Sequence, residues 1–121
     1  MKSLRILVVE DNAMIGALLS EMLDDMGHKV CGVETNSANA VAAAARCKPD
    51  LMIVDVRLGD SCGLAAVEEV LRNGFVPHVF VTGDSLRSLS LGPRAVLIQK
   101  PFREADIAAA IHRALSSEVP S

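Results

Sequence analysis

Aromatic side chains are nearly missing from this 121-residue chain, which has three Phe and neither Trp nor Tyr. Single-stranded nucleic acid therefore has no stacking platform here. Basic charge is not in excess either: 12 Lys and Arg against 15 Asp and Glu give a net charge of −3. That balance argues against a partner with a phosphate backbone. No apolar run approaches the ~18 residues of a membrane span. Met1-Lys2-Ser3-Leu4-Arg5 leads at once into a strand and then acid, which is not a secretory signal. Cys31, Cys47 and Cys62 lack a CxxC spacing and read as small thiols in a reducing cytosol, so a cytoplasmic location is expected. His28, His78 and His112 have no ligand spacing and read as incidental. Internal repeats and low-complexity linkers are absent too.

What is present is half apolar and long enough for one domain, expected over residues 1–121. Short continuous apolar runs at Leu4 to Val9, Leu51 to Val54, Val79 to Val81 and Ala95 to Ile98 read as strands buried on both faces. Val30 to Val33 adds a further short one. Between them lie helical spacings. Ile15, Leu18, Leu19, Met22, Leu23 and Met26 mark the first helix. Val41, Ala42 and Ala45 are expected to face inward on an Ala-rich second helix that Pro49 ends. Leu64, Val67, Val70 and Leu71 mark a third, and Ile107, Ala110, Ile111, Ala114 and Leu115 the last. Residues 56–63 read as a loop by their Gly and Asp content. Asp84 to Leu91 carries three serines and few apolar anchors, which predicts a short or irregular fourth helix. Strands alternating with helices call for a parallel sheet covered on both faces.

In such a sheet, ligands meet the protein beyond the carboxyl ends of the strands. Four apolar strands each deliver polar chemistry there: Glu10-Asp11, Asp55, Thr82 and Lys100. Singly, each reads as an ordinary polar strand end; together they read as a site. Crowded carboxylates repel one another, and Mg²⁺, held by a few carboxylates and several waters, relieves that repulsion. A carboxylate can also accept a phosphoryl group. The ammonium of Lys100 and the hydroxyl of Thr82 suit that group's oxygens.

Ile-Leu-Val-Val-Glu10-Asp11, the Asp55 strand, Val-Thr82-Gly83 and Lys100-Pro101-Phe102 resemble the receiver domain of two-component response regulators. Val-Pro77-His-Val-Phe-Val-Thr82-Gly83 further resembles the stand-alone FAT GUY receivers. The resemblance implies a flavodoxin-like, doubly wound α/β fold, with a five-stranded parallel sheet in the order 2-1-3-4-5 and five helices. It implies that Asp55 accepts phosphate from a histidine kinase or histidine phosphotransfer protein. It implies that Glu10, Asp11, Asp55 and the Arg57 backbone carbonyl hold Mg²⁺, for which Mn²⁺ substitutes. Thr82 and Lys100 would bind the phosphoryl group, and the Lys100-Pro101 bond would be cis. Gly63 falls where the family usually has glycine.

Three departures stand out. Leu97 replaces an aromatic, Gly59 replaces a frequent proline, and the stretch from Thr82 to Lys100 is short. The expected function is a single-domain, non-enzymatic phosphoacceptor, a monomer or weak homodimer, that signals by altered protein contacts. No DNA-binding output is expected after Ser121. The alternatives are a phosphate shuttle or sink in a phosphorelay, a pseudo-receiver that never takes phosphate, and an aspartyl-nucleophile phosphohydrolase. The hydrolase would need Asp where Arg57 stands, and the intact acidic pair, Asp55, Thr82 and Lys100 weaken the pseudo-receiver.

Overall fold

The computed structural model describes residues 3–59, 61–83 and 96–116. In chain order the first elements are β1 (Arg5–Val9), α1 (Ala13–Asp25), β2 (Lys29–Glu34), α2 (Ser37–Cys47) and β3 (Leu51–Asp55). There follow β4 (Arg57–Leu58), β5 (Ser61–Cys62), α3 (Gly63–Leu71), β6 (His78–Thr82), β7 (Leu97–Gln99) and α4 (Glu104–Ser116). Five of the strands form one parallel sheet, ordered β2-β1-β3-β6-β7. Counted among themselves, those five stand in the expected order 2-1-3-4-5. The described residues hold four helices. The expected short helix between Asp84 and Leu91 lies outside the described residues.

Alternation along the strands builds two cores. Ile6, Val8, Leu51, Ile53, Val79, Val81, Val96 and Ile98 face one side with Leu19 and Leu23 of α1 and Ile107 and Ile111 of α4. Leu7, Val9, Met52, Val54 and Phe80 face the other with Ala40, Ala43 and Ala44 of α2 and Ala66, Val67 and Val70 of α3. All five residues of β3 are buried, as a strand covered on both faces requires. Among the described residues no helix is long and apolar enough to cross a membrane.

Four local expectations need correction. On α2 the inward residues are Ala40, Ala43 and Ala44, while Ala42 and Ala45 are exposed. A run of identical alanines carries no phase, so the pattern had nothing to place them by. The helix ends before Pro49, at a Lys48 cap in the left-handed region (φ 48). On α1, Leu18 is 47% exposed; with about 3.6 residues per turn it falls at the edge of the stripe that Ile15, Leu19, Leu23 and Met26 define. Residues 57–62 include a two-residue antiparallel ladder, Arg57 with Cys62 and Leu58 with Ser61. His28 is not incidental: it is buried, and its Nδ1 accepts the Leu4 N–H at 3.2 Å. Burial lowers its pKa.

Gly63 starts α3 by donating its N–H to the Val56 carbonyl at 2.8 Å, directly beneath the end of β3. A Cβ there would fall on the Asp55 carbonyl oxygen and come within 2.8 Å of Val54 Cγ1. Backbone cannot yield as a flexible side chain does, so the start of the helix would have to move. Gly63→Ala should therefore lose about 1–3 kcal/mol by overpacking, despite alanine's better helix propensity. Urea unfolding followed by far-ultraviolet circular dichroism measures it. A variant as stable as the parent would show that α3 does not lie this close.

Candidate functional site

The parallel sheet sets Glu10, Asp55, Thr82 and Lys100 at the carboxyl ends of four neighbouring strands. Glu10 follows β1 and Asp55 closes β3; they are 1% and 5% exposed. Asp11, next to Glu10, is exposed. Thr82 closes β6 and is buried, and its carbonyl accepts the Lys100 N–H at 2.8 Å. That bond places Lys100 just past β7, ahead of a cis bond to Pro101.

Lys100 Nζ donates to Asp55 Oδ2 at 2.8 Å and stands 3.2 Å from Glu10 Oε1. The other oxygens are held by backbone: the Arg57 N–H donates to Asp55 Oδ1 at 3.0 Å, and the Asn12 N–H to Glu10 Oε2 at 3.2 Å. Asn12 also caps α1, its side chain accepting the Ile15 N–H at 3.1 Å. Asp11, Asn12, Ile15, Asp55, Arg57, Gly83 and Lys100 line an open cleft of about 430 Å³. Six of these seven are polar or glycine, so the cleft suits a small charged group rather than an apolar ligand.

The electrostatics are unbalanced. Glu10, Asp11 and Asp55 bring one oxygen each within 4.8 Å of one another. Despite its approach to Lys100, Glu10 Oε1 completes no hydrogen bond of good geometry. Burial, then the hydrogen-bonded Asp55 carboxyl, push the Glu10 pKa up to about 7. Burial also penalises the Lys100 ammonium, but the neighbouring Asp55 and Glu10 carboxyls outweigh this and raise its pKa. Two buried carboxylates thus share one ammonium while a third waits at the rim. Three oxygen donors and an orphaned buried carboxylate oxygen fit a hard divalent cation such as Mg²⁺.

Of the residues named from the sequence, Asp11, Asp55, Arg57 and Lys100 line the cleft, Glu10 reaches Lys100 from the end of β1, and Thr82 lies buried at the end of β6. The Asn12 N–H bond to Glu10 has no signal in the sequence. Gly59 has φ +61. Proline, held near −65°, cannot adopt that angle, which accounts for the departure at this position. Leu97 pairs with Phe80 in the sheet and packs on the α2–α3 side of it.

Glu10 gives a pH dependence. Its folded-state pKa lies above the ordinary 4.5, so its contribution to stability is present below 4.5 and is lost as pH rises through about 7. In metal-free buffer the stability of Glu10→Gln relative to the parent should rise across that window, by up to about 3 kcal/mol. Chemical denaturation of both proteins at several pH values reads this directly. A pH-independent offset would show that Glu10 titrates as a free carboxyl.

The family model for the response regulator receiver domain matches residues 6–112. The phyllosphere-induced regulator PhyR of Methylorubrum extorquens is 39% identical over 115 residues, 91% of this chain and 43% of its own length. The transcriptional regulatory protein PdtaR of Mycobacterium tuberculosis is 36% identical over 117 residues, 93% of this chain and 57% of its own. The chain thus spans about half the length of these curated relatives. The solution structure of the Erythrobacter litoralis PhyR receiver domain superposes with a TM-score of 0.87 at 32% identity, covering 100% of this chain and 97% of that one. With its sheet order, its acidic cleft and these matches, the chain belongs to the response regulator receiver domain family of two-component signalling.

Proposed function

We propose that Asp55 is the phosphoacceptor of a signalling receiver, taking its phosphoryl group from a phosphohistidine on a kinase or phosphotransfer protein. The observation that carries this reading is the Lys100 ammonium at 2.8 Å from a buried Asp55. An oxygen of Asp55 attacks phosphorus, the donor's N–P bond breaks, and its electron pair returns to the imidazole. Glu10, Asp11, Asp55 and the Arg57 carbonyl are the residues to hold Mg²⁺. Bound there, the ion neutralises charge on the phosphoryl oxygens.

The chain's own residues do the rest. Lys100 leaves its carboxylate partners for a phosphoryl oxygen, and Thr82 supplies a hydroxyl to another. Buried charge is what gives these contacts their strength, because little water screens them. The Arg57 N–H holds Asp55 Oδ1, leaving the carboxylate few orientations. Signal then leaves by altered contacts with another protein. Leu97 lacks the ring and hydroxyl of the aromatic usual at its place, and this favours a second reading, in which the domain is a shuttle or sink that passes phosphate on without the family's aromatic rearrangement.

Incubation with acetyl phosphate and Mg²⁺, read by intact mass, should add a phosphoryl group to the parent. Asp55→Ala, or excess chelator, should abolish the adduct, and Lys100→Met should slow its formation about 10²-fold. An adduct that survives in Asp55→Ala, or that forms equally in chelator, would overturn the reading.

A further inference from the structure

The phosphoacceptor reading leaves open what fixes the backbone carbonyl that Arg57 would lend to the metal. Arg57 is exposed; its N–H is held by Asp55, and among the described residues its stretch of chain pairs with Ser61 and Cys62 in a two-residue ladder. Two-stranded pairings alone are marginal in water. Leu58 is 3% exposed and anchors one side chain in the α2–α3 core. An anchored side chain still lets the peptides on either side of it rotate.

A hydroxyl supplies a further restraint. Ser61 Oγ donates to the Leu58 carbonyl at 3.1 Å and accepts the Ser37 N–H at 3.2 Å. Ser37 is the first residue of α2, and its N–H is one of the donors that a helix start leaves without an internal partner. The Asn36 side chain, the nominal cap, is taken up by the Asn39 N–H at 2.8 Å. Ser61 therefore uses its donor and acceptor together and links the chain after Asp55 to the first turn of a helix on the other side of the loop. The Leu58 carbonyl it holds is one peptide on from that of Arg57, so holding the first restricts the second.

We infer that Ser61 is a positioning residue for the metal site, its hydroxyl clamping the Arg57–Leu58 backbone to the N terminus of α2. The inference rests on the phosphoacceptor reading, in which the Arg57 carbonyl serves the ion. Because linkage is reciprocal, an ion that draws on this backbone also tightens the Ser37 N–H bond.

Two substitutions cut the clamp at different atoms. Ser61→Ala removes the hydroxyl. Ser37→Pro removes the N–H together with the Ser37 hydroxyl, and leaves the Ser61 hydroxyl in place: proline is favoured at the first helical position, and the preceding Asn36 is already extended (φ −147, ψ 167), as a residue before proline must be. Ser61→Thr keeps the hydroxyl.

Mg²⁺ titration, followed on the Asp11 and Arg57 amide resonances of the whole chain, gives a dissociation constant for each protein. Ser61→Ala should weaken Mg²⁺ about 3- to 10-fold and Ser37→Pro about 3-fold, the range of one lost neutral hydrogen bond. Ser61→Thr should stay near the parent. In the parent, Mg²⁺ should slow hydrogen exchange at the Ser37 amide. Variants that lose thermal stability but bind Mg²⁺ as the parent does would make Ser61 merely structural and overturn the inference alone. Unchanged Ser37 exchange on Mg²⁺ binding would overturn it as well. A parent that binds no Mg²⁺ would overturn the phosphoacceptor reading with it.

Discussion

One ammonium group holds the upper end of this molecule together. Lys100 lies 2.8 Å from Asp55 and 3.2 Å from Glu10, and both carboxyls are almost wholly buried. Burying a charge without a partner is strongly unfavourable. One cation between two buried carboxylates leaves a negative surplus, and Asp11 adds to it from the rim. Burial, then the neighbouring Asp55 carboxyl, raises the pKa of Glu10. On the proposed reading a divalent cation and a phosphoryl group would add charge of opposite signs, and the ammonium would find a second partner among the phosphoryl oxygens.

The sheet makes this arrangement affordable in geometric terms. Parallel neighbours place the ends of β1, β3, β6 and β7 side by side, and two apolar cores hold the strands rigid. Residues just beyond a rigid strand inherit its precision. Gly63 extends the principle to α3, because its missing side chain lets the helix begin against the backbone of Asp55 itself. Beyond Asp55 the chain leaves the sheet, and there precision depends on single hydrogen bonds: Arg57 N–H to Asp55, Gly63 N–H to Val56, Ser61 Oγ to Leu58.

The strands and the site were legible because their signals are strong and local. Four apolar runs ending in Glu10-Asp11, Asp55, Thr82 and Lys100 mark both the sheet and the edge that carries the candidate site, once parallel topology is granted. The strand order was not carried by periodicity and came from family resemblance. Alternation failed on α2, where alanine repeats hide the buried face, and on Leu18, where a wide apolar stripe has an exposed margin. The ladder at 57–62 was invisible because two residues are too few for any period. Hydrogen bonds between distant residues, such as His28 to Leu4 and Ser61 to Ser37, leave no trace in spacing. They depend on which loops the fold brings together.

The central claim is that Asp55 and the groups around it bind a phosphoryl group as one unit. Fluorine NMR of the protein with beryllofluoride and Mg²⁺, a stable mimic of an acyl phosphate, tests that most directly. A bound fluorine signal that disappears in Asp55→Asn and on chelation is predicted. No bound signal in the parent, or one that persists without the Asp55 carboxylate, would contradict it.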